Sequence, residues 1–72
     1  MEKIRFNYSK LRGRIKEKCD SQKVFAERLG VSEATLTSKL QGNTYFTQSE
    51  IWKSTEILGI QPDEVALYFF AA

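Results

Sequence analysis

Ser21-Gln22-Lys23-Val24-Phe25-Ala26-Glu27-Arg28-Leu29-Gly30-Val31-Ser32-Glu33-Ala34-Thr35-Leu36-Thr37-Ser38-Lys39-Leu40-Gln41-Gly42-Asn43 is the stretch on which the fold turns. It reads as two short helices joined by a tight turn. Phe25, Ala26 and Leu29 share one face of the first helix, and Leu36 and Leu40 share one face of the second. Gly30 suits the left-handed conformation that ends a helix. Val31 then points inward, and Ser32 is a ready N-cap for the helix that follows. Ala26 is small where two crossing helices come close. A helix, a glycine turn and a second helix carrying short polar side chains form a helix-turn-helix over residues 21–42, a motif whose second helix enters the DNA major groove.

Outward from this motif the chain continues as helices. Residues 1–6 read as extended, with Ile4-Arg5-Phe6 too short for an element of its own. Tyr8, Leu11, Ile15 and Cys19 recur at helical spacing, which predicts a first helix from about Asn7 to Cys19. Gly13 inside it costs about 1 kcal/mol relative to alanine, and either permits close packing or is tolerated at the surface. Asp20-Ser21 breaks that helix and caps the next. The third helix runs from Ser32 or Glu33 to Gln41, with Gly42 ending it, and Asn43-Thr44-Tyr45-Phe46 forms a loop. Thr47 and Glu50 make a capping box ahead of a fourth helix that stops at Gly59. Its inward stripe is expected at Ile51, Thr55 and Leu58 with Ser54 beside it, leaving Trp52 and Ile57 off the centre. A fifth helix begins at Gln61-Pro62 and carries Val65, Tyr68 and Phe69. The expectation is one all-α domain of five helices spanning residues 1–72.

Seventy-two residues allow a small core. No apolar run is long enough for a membrane span, and Met1-Glu2-Lys3-Ile4-Arg5 lacks the apolar stretch of a signal peptide. One cysteine, Cys19, forms no internal disulfide and suits a reducing cytoplasm. On the apolar face of the first helix it reads as a buried structural thiol, the alternative being a reactive one. Without histidine the chain has neither a zinc ligand set nor a Ser/His/Asp arrangement, and it has no phosphate-cradling glycine loop. The adjacent Asp63 and Glu64 follow Pro62, where first-turn carboxylates favour a helix N-terminus. An enzyme is not expected, nor a cofactor, a metal or a small-molecule ligand.

The net charge of +2 conceals an asymmetry. Residues 1–31 hold nine Lys/Arg against four acids, a net of +5; residues 32–72 hold two against five, a net of −3. The basic half suits phosphates, or is simply a solvated helix face. The acidic half is ill suited to DNA.

Gln22, Ala26, Gly30, Val31, Leu36 and Gly42 match the signature of the phage Cro and repressor-type helix-turn-helix family, which the chain resembles over the five-helix unit from residue 8 to residue 70. More narrowly, the Tyr8-Ser9-Lys10-Leu11-Arg12-Gly13 start and the Tyr68-Phe69-Phe70 end resemble short regulators of temperate phages of Gram-positive bacteria. In size and context the chain is also similar to the modulator-of-repression antirepressors of lactococcal phages, which act by pairing with a repressor. The resemblance implies a place in the host bacterial cytoplasm. It also implies operator DNA as target, reached directly or through a complex with a phage repressor.

In the motif's geometry the leading exposed positions of the third helix face base edges. These are Glu33, Ala34, Thr37 and Ser38. A glutamate accepts from cytosine N4 and an alanine touches a thymine methyl; Thr37 and Ser38 suit bases or phosphates. By family position Gln22 contacts a phosphate, which the backbone N–H groups of its helix end also favour. Lys23, Gln41, Asn43 and Thr44 are candidate backbone contacts on either side. The plainer reading makes these residues solvent-facing helix positions, with Glu33 a first-turn carboxylate.

The third helix holds no arginine and Lys39 is its one cation. Specific binding draws much of its affinity from phosphate neutralisation, so a monomer of this chain is expected to bind DNA poorly. It then either acts as a homodimer, with two reading helices about 34 Å apart, or borrows affinity from another protein. Apolar residues exceed what a small core easily buries: Tyr45, Phe46, Trp52, Ile57 and Leu67 to Phe70. Left exposed, such aromatics anchor protein partners. The candidate partner-facing residues are Arg28, Glu33, Lys39, Tyr45, Phe46 and Trp52.

Overall fold

A computed structural model describes residues 5–71. The order is α1 (Ser9–Cys19), α2 (Gln22–Leu29), α3 (Glu33–Leu40), α4 (Gln48–Leu58), then a 3-10 turn (Pro62–Glu64) that runs into α5 (Val65–Phe69). The domain is all-α with five helices, as the sequence predicts, and α1 is the hub against which α2, α4 and α5 pack. Ile4 and the residues before it lie outside the described residues.

Local signals set the helix ends. The hydroxyls of Ser21, Ser32 and Thr47 accept from the N–H of Val24, Thr35 and Glu50, satisfying one orphan donor at each start. Gly30, the C-cap of α2, is left-handed at φ +86° and ends the helix with Val31 N–H bonded back to the Ala26 carbonyl at 3.0 Å. The same closure recurs at Gly42, where Asn43 N–H reaches the Ser38 carbonyl at 3.0 Å. At α1 a non-glycine does this work: Asp20 takes φ +71°, tolerated because a short polar side chain visits that region at lower cost than most.

The start of α1 differs from expectation. Asn7 lies before the helix, its side-chain oxygen accepting from Ser9 N–H at 2.9 Å, and its own N–H bonds to the Ala71 carbonyl. An asparagine competes well for such turns, so the helix begins two residues later and Asn7 ties the two described chain ends together. Gly13 is exposed with nothing within 4 Å of a notional Cβ, so the surface reading holds.

The core unites Leu11, Ile15 and Cys19 of α1, Phe25, Ala26 and Leu29 of α2, and Leu36 and Leu40 of α3 with Leu58, Ile60, Tyr68 and Phe69. Cys19 is buried, as the structural reading has it. The inward face of α4 is rotated from the expected stripe. Ser54 and Leu58 are fully buried, while Ile51 and Thr55 are only half-buried and Ile57 packs against the core. Because α4 meets both α1 and α2, its buried face widens about Ser54, and at about 100° per residue Ile51 and Ile57 fall on its two flanks. A serine there allows close approach, and its hydroxyl is satisfied by donating to the Glu50 carbonyl at 2.7 Å.

Two arginines of the basic half act as helix caps across the core. Arg12 Nη2 donates to the Leu40 carbonyl at the end of α3 (3.2 Å). Arg14 Nε and Nη2 donate to the Leu58 and Gly59 carbonyls at the end of α4 (2.9 and 3.1 Å). A cation on orphan carbonyls also opposes the negative helix end. Arg14→Ala is therefore expected to lower unfolding free energy by about 1–2 kcal/mol, since charge-assisted bonds are partly replaced by water. Arg14→Lys should recover only part of it, lacking the planar fork. Urea unfolding measures this, and an unchanged midpoint for Arg14→Ala would mean the two carbonyls are served equally well by solvent.

Candidate recognition surface

With Leu36 and Leu40 in the core, Ala34 stands exposed and Thr37 and Ser38 half-exposed on the remaining sides of α3, while Glu33 is exposed because it is the first residue of the helix. The N-cap Ser32 hydroxyl also donates to Thr35 Oγ1 at 2.8 Å, holding the first turn that presents Glu33. Gln22 is half-buried at the start of α2 and Lys23 is exposed beside it. Gln41, Asn43 and Thr44 are exposed past the end of α3, where Asn43 Nδ2 donates to Gln41 Oε1 at 3.4 Å. The structure thus brings the sequence-predicted DNA-facing residues to the ends and outer side of one helix pair.

Lys39 is a correction. Expected as the cation of α3 and a partner contact, it is instead 7% exposed. Its ammonium donates to the Tyr45 carbonyl at 3.0 Å, pairs with Glu50 Oε1 at 3.0 Å and lies 5.8 Å from the Phe46 ring centre. The physical reason is helical phase: Lys39 sits about 60° from Leu36 on the wheel, so its methylene stem follows the apolar face. Glu50 is shared, because the same Oε1 accepts from Thr47 N–H at 2.8 Å in the capping box at the start of α4. Burial raises the Glu50 pKa, but the Thr47 N–H and the Lys39 ammonium together outweigh it and hold the carboxyl below its ordinary value. Glu33, at the leading end of α3, is therefore the one exposed charged residue of that helix.

Phe46 is the second correction. It is buried, edge-on to Tyr8 and Phe69 with ring centres 5.5 and 5.3 Å away. It stands one residue before the cap Thr47, and Ile51 stands four residues after that cap, the positions of a hydrophobic staple; that spacing was the available sequence signal. Tyr45 remains 45% exposed, its ring 5.9 Å from that of Phe6. Behind it Tyr8, Phe46, Phe69 and Phe70 help line an apolar recess of about 270 Å³. Burial, with Tyr45 nearby, pushes the Tyr8 phenol above its usual value. Trp52 is 64% exposed on α4, and Arg28 is exposed on α2 with a guanidinium nitrogen 3.8 Å from Cys19 Sγ.

The basic half is less available to phosphate than its count suggests. Besides Arg12 and Arg14, Lys10 lies 5.2 Å from the Tyr68 ring centre. Sequence reading missed these roles because their partners are backbone carbonyls and rings distant in the chain. Among the described residues no helix is long and apolar enough to cross a membrane.

A family described as "Protein of unknown function (DUF739)" matches residues 4–72. The solution structure of the modulator of repression of the temperate bacteriophage TP901-1 from Lactococcus lactis is similar to the chain, with a TM-score of 0.80 and 36% identity, over 96% of this chain and 93% of that one. No curated protein matches the sequence.

Proposed function

The chain belongs to the DUF739 family, and we propose that it is a phage genetic-switch regulator, an antirepressor that pairs with a phage repressor and alters its operator binding. The similarity to a phage modulator of repression supports the regulatory role. The observation that carries the pairing mechanism is the charge of α3: with Lys39 turned inward, Glu33 is its one exposed charged residue. A helix meant to sit against phosphates gains from cations, whereas a repressor surface that binds DNA is basic. Glu33 meets such a surface as a phosphate would. Thr37, Ser38 and Tyr45 supply polar and aromatic contacts around it, with Arg28 alongside, in keeping with interfaces that combine a few anchors with a charged rim. Such a regulator works in the host cytoplasm and needs no catalytic group.

A second reading stands on one observation: Ala34, Thr37 and Ser38 lie on the outer side of α3, where a Cro-like repressor acting as a dimer reads bases. Gln22, Lys23, Gln41, Asn43 and Thr44 would then hold the backbone. A gel shift of the purified chain on its switch-region DNA, with and without the repressor encoded beside it, separates the two. An operator-specific shift by the chain alone at physiological salt sinks the antirepressor reading.

Glu33→Lys is expected to weaken repressor binding at least tenfold by calorimetry, about 1.4 kcal/mol, while raising non-specific DNA binding at low salt. Unchanged repressor affinity in Glu33→Lys and Tyr45→Ala alike would remove α3 from the interface.

A further inference from the structure

We propose that the groove between α4 and the 3-10 turn leading into α5 docks an amphipathic helix with apolar anchors and lysine or arginine flanks. This goes beyond repressor pairing through α3 and does not depend on it. Gln48, Ile51, Trp52 and Thr55 form one wall, with Pro62 and Val65 opposite, around about 490 Å³. Spacing of i, i+3, i+4 and i+7 puts the four α4 residues on one side over two turns, beginning at Ile51 on the flank of the buried Ser54–Leu58 face and turning outward to Trp52. That wall is uncharged, and Trp52 stands 64% exposed on it. An exposed tryptophan beside a groove is the residue type that anchors protein partners.

Charge decides the occupant. The charged residues flanking the lining positions along the chain are Glu50, Lys53, Glu56, Asp63 and Glu64. Glu50 is neutralised by Lys39, which leaves three carboxylates against one ammonium. A second copy would set this acidic rim against itself, and nucleic acid would bring further negative charge. A basic partner gains on both counts. A two-turn wall on a helix matches the anchor spacing of a helix laid in a groove.

The full-length chain is titrated with a helical Leu/Lys peptide and, separately, with its Leu/Glu counterpart, following the emission of Trp52, the chain's one tryptophan. The expected result is a saturable blue shift with the Leu/Lys peptide alone. Glu56→Lys combined with Asp63→Lys, both exposed positions, should weaken that binding at least tenfold while circular dichroism stays unchanged and the melting temperature, lowered a few degrees by the lost first-turn carboxylate, leaves the domain folded at the assay temperature. No shift, an equal response to both peptides, or undiminished binding by the double variant overturns the proposal. A blue shift on concentrating the chain alone, with a dimer mass in sedimentation, assigns the groove to a second copy and overturns it equally.

Discussion

Lys39→Ala should cost about 3 kcal/mol of stability, the low end of what breaking a buried ion pair costs, because the Glu50 side chain keeps 16% of its surface in contact with water. The substitution removes three things together: the ion pair, the bond to the Tyr45 carbonyl and the packing of the stem. Lys39→Met keeps most of the packing and isolates the charge. Adding Glu50→Gln to Lys39→Met should restore part of the loss, since no uncompensated carboxylate then remains. Urea unfolding of wild type, Lys39→Met, Glu50→Gln and the double variant closes the cycle. A loss below about 0.5 kcal/mol for Lys39→Ala, the level of an ordinary surface change, would place the ammonium in solvent.

The same pair gives the pH dependence its sign. The folded Glu50 pKa lies below its unfolded value, which is about 4.3. Its contribution is therefore complete above that pH and is lost as pH falls through the lower folded value. The stability gap between wild type and Lys39→Met should narrow on acidification below pH 4 and stay constant from about pH 5.5 to pH 7. Because Lys39 also holds the Tyr45 carbonyl, loosening it frees the loop that carries an exposed aromatic of the proposed interface. Lys39→Ala should therefore weaken repressor binding even at temperatures where it is folded.

What the sequence revealed and what it hid divide by range. Gly30, Ser32, Thr47, Glu50 and Gly59 announce helix ends through bonds made within five residues, and each is a cap or capping-box residue in the structure. The face of α4 differs from the expected stripe because a single amphipathic stripe presumes one neighbour, while α4 packs on two helices and buries Ser54 between them. Ile60 was overlooked because it follows Gly59 outside any helical period, although an apolar residue just past such a glycine commonly packs back on its helix. The charge of Lys39 suggests solvent, whereas its phase beside Leu36 places its stem on the apolar face. At the candidate surface, the exposure of Ala34 and Trp52 follows from helical periodicity, and that of Glu33 from its place in the first turn of α3. The burial of Phe46 and the diversion of Arg12 and Arg14 depend on which distant backbone groups need partners, and one-dimensional spacing does not carry that information.

Leu36→Ala should lower unfolding free energy by about 2–5 kcal/mol, the range for truncating a buried leucine and leaving a cavity. Leu36 is fully buried in the core with Phe25 and Leu29 of α2 and Leu40 of its own helix, so little of that cavity can be filled by a shift toward solvent. For 72 residues at roughly 0.05–0.15 kcal/mol each, total stability is about 4–11 kcal/mol, and one methyl-rich side chain therefore holds a large share of it. The melting temperature should fall by about 8 °C at the least, given about 4–8 °C per kcal/mol for a domain of this size. A change within about 2 °C would put Leu36 at the surface and overturn the phase of α3, and with it the assignment of Thr37 and Ser38 to the outer face. The repressor then separates fold from interface. Binding at about 100 times the dissociation constant adds about 2.7 kcal/mol, so a Leu36→Ala domain that is still folded should regain much of its lost melting temperature when the repressor is present. Glu33→Lys should behave in the opposite way: a melting temperature lowered by no more than a few degrees alone, through the helix N-terminus, and at most about half the wild-type rise when the same concentration of repressor is added.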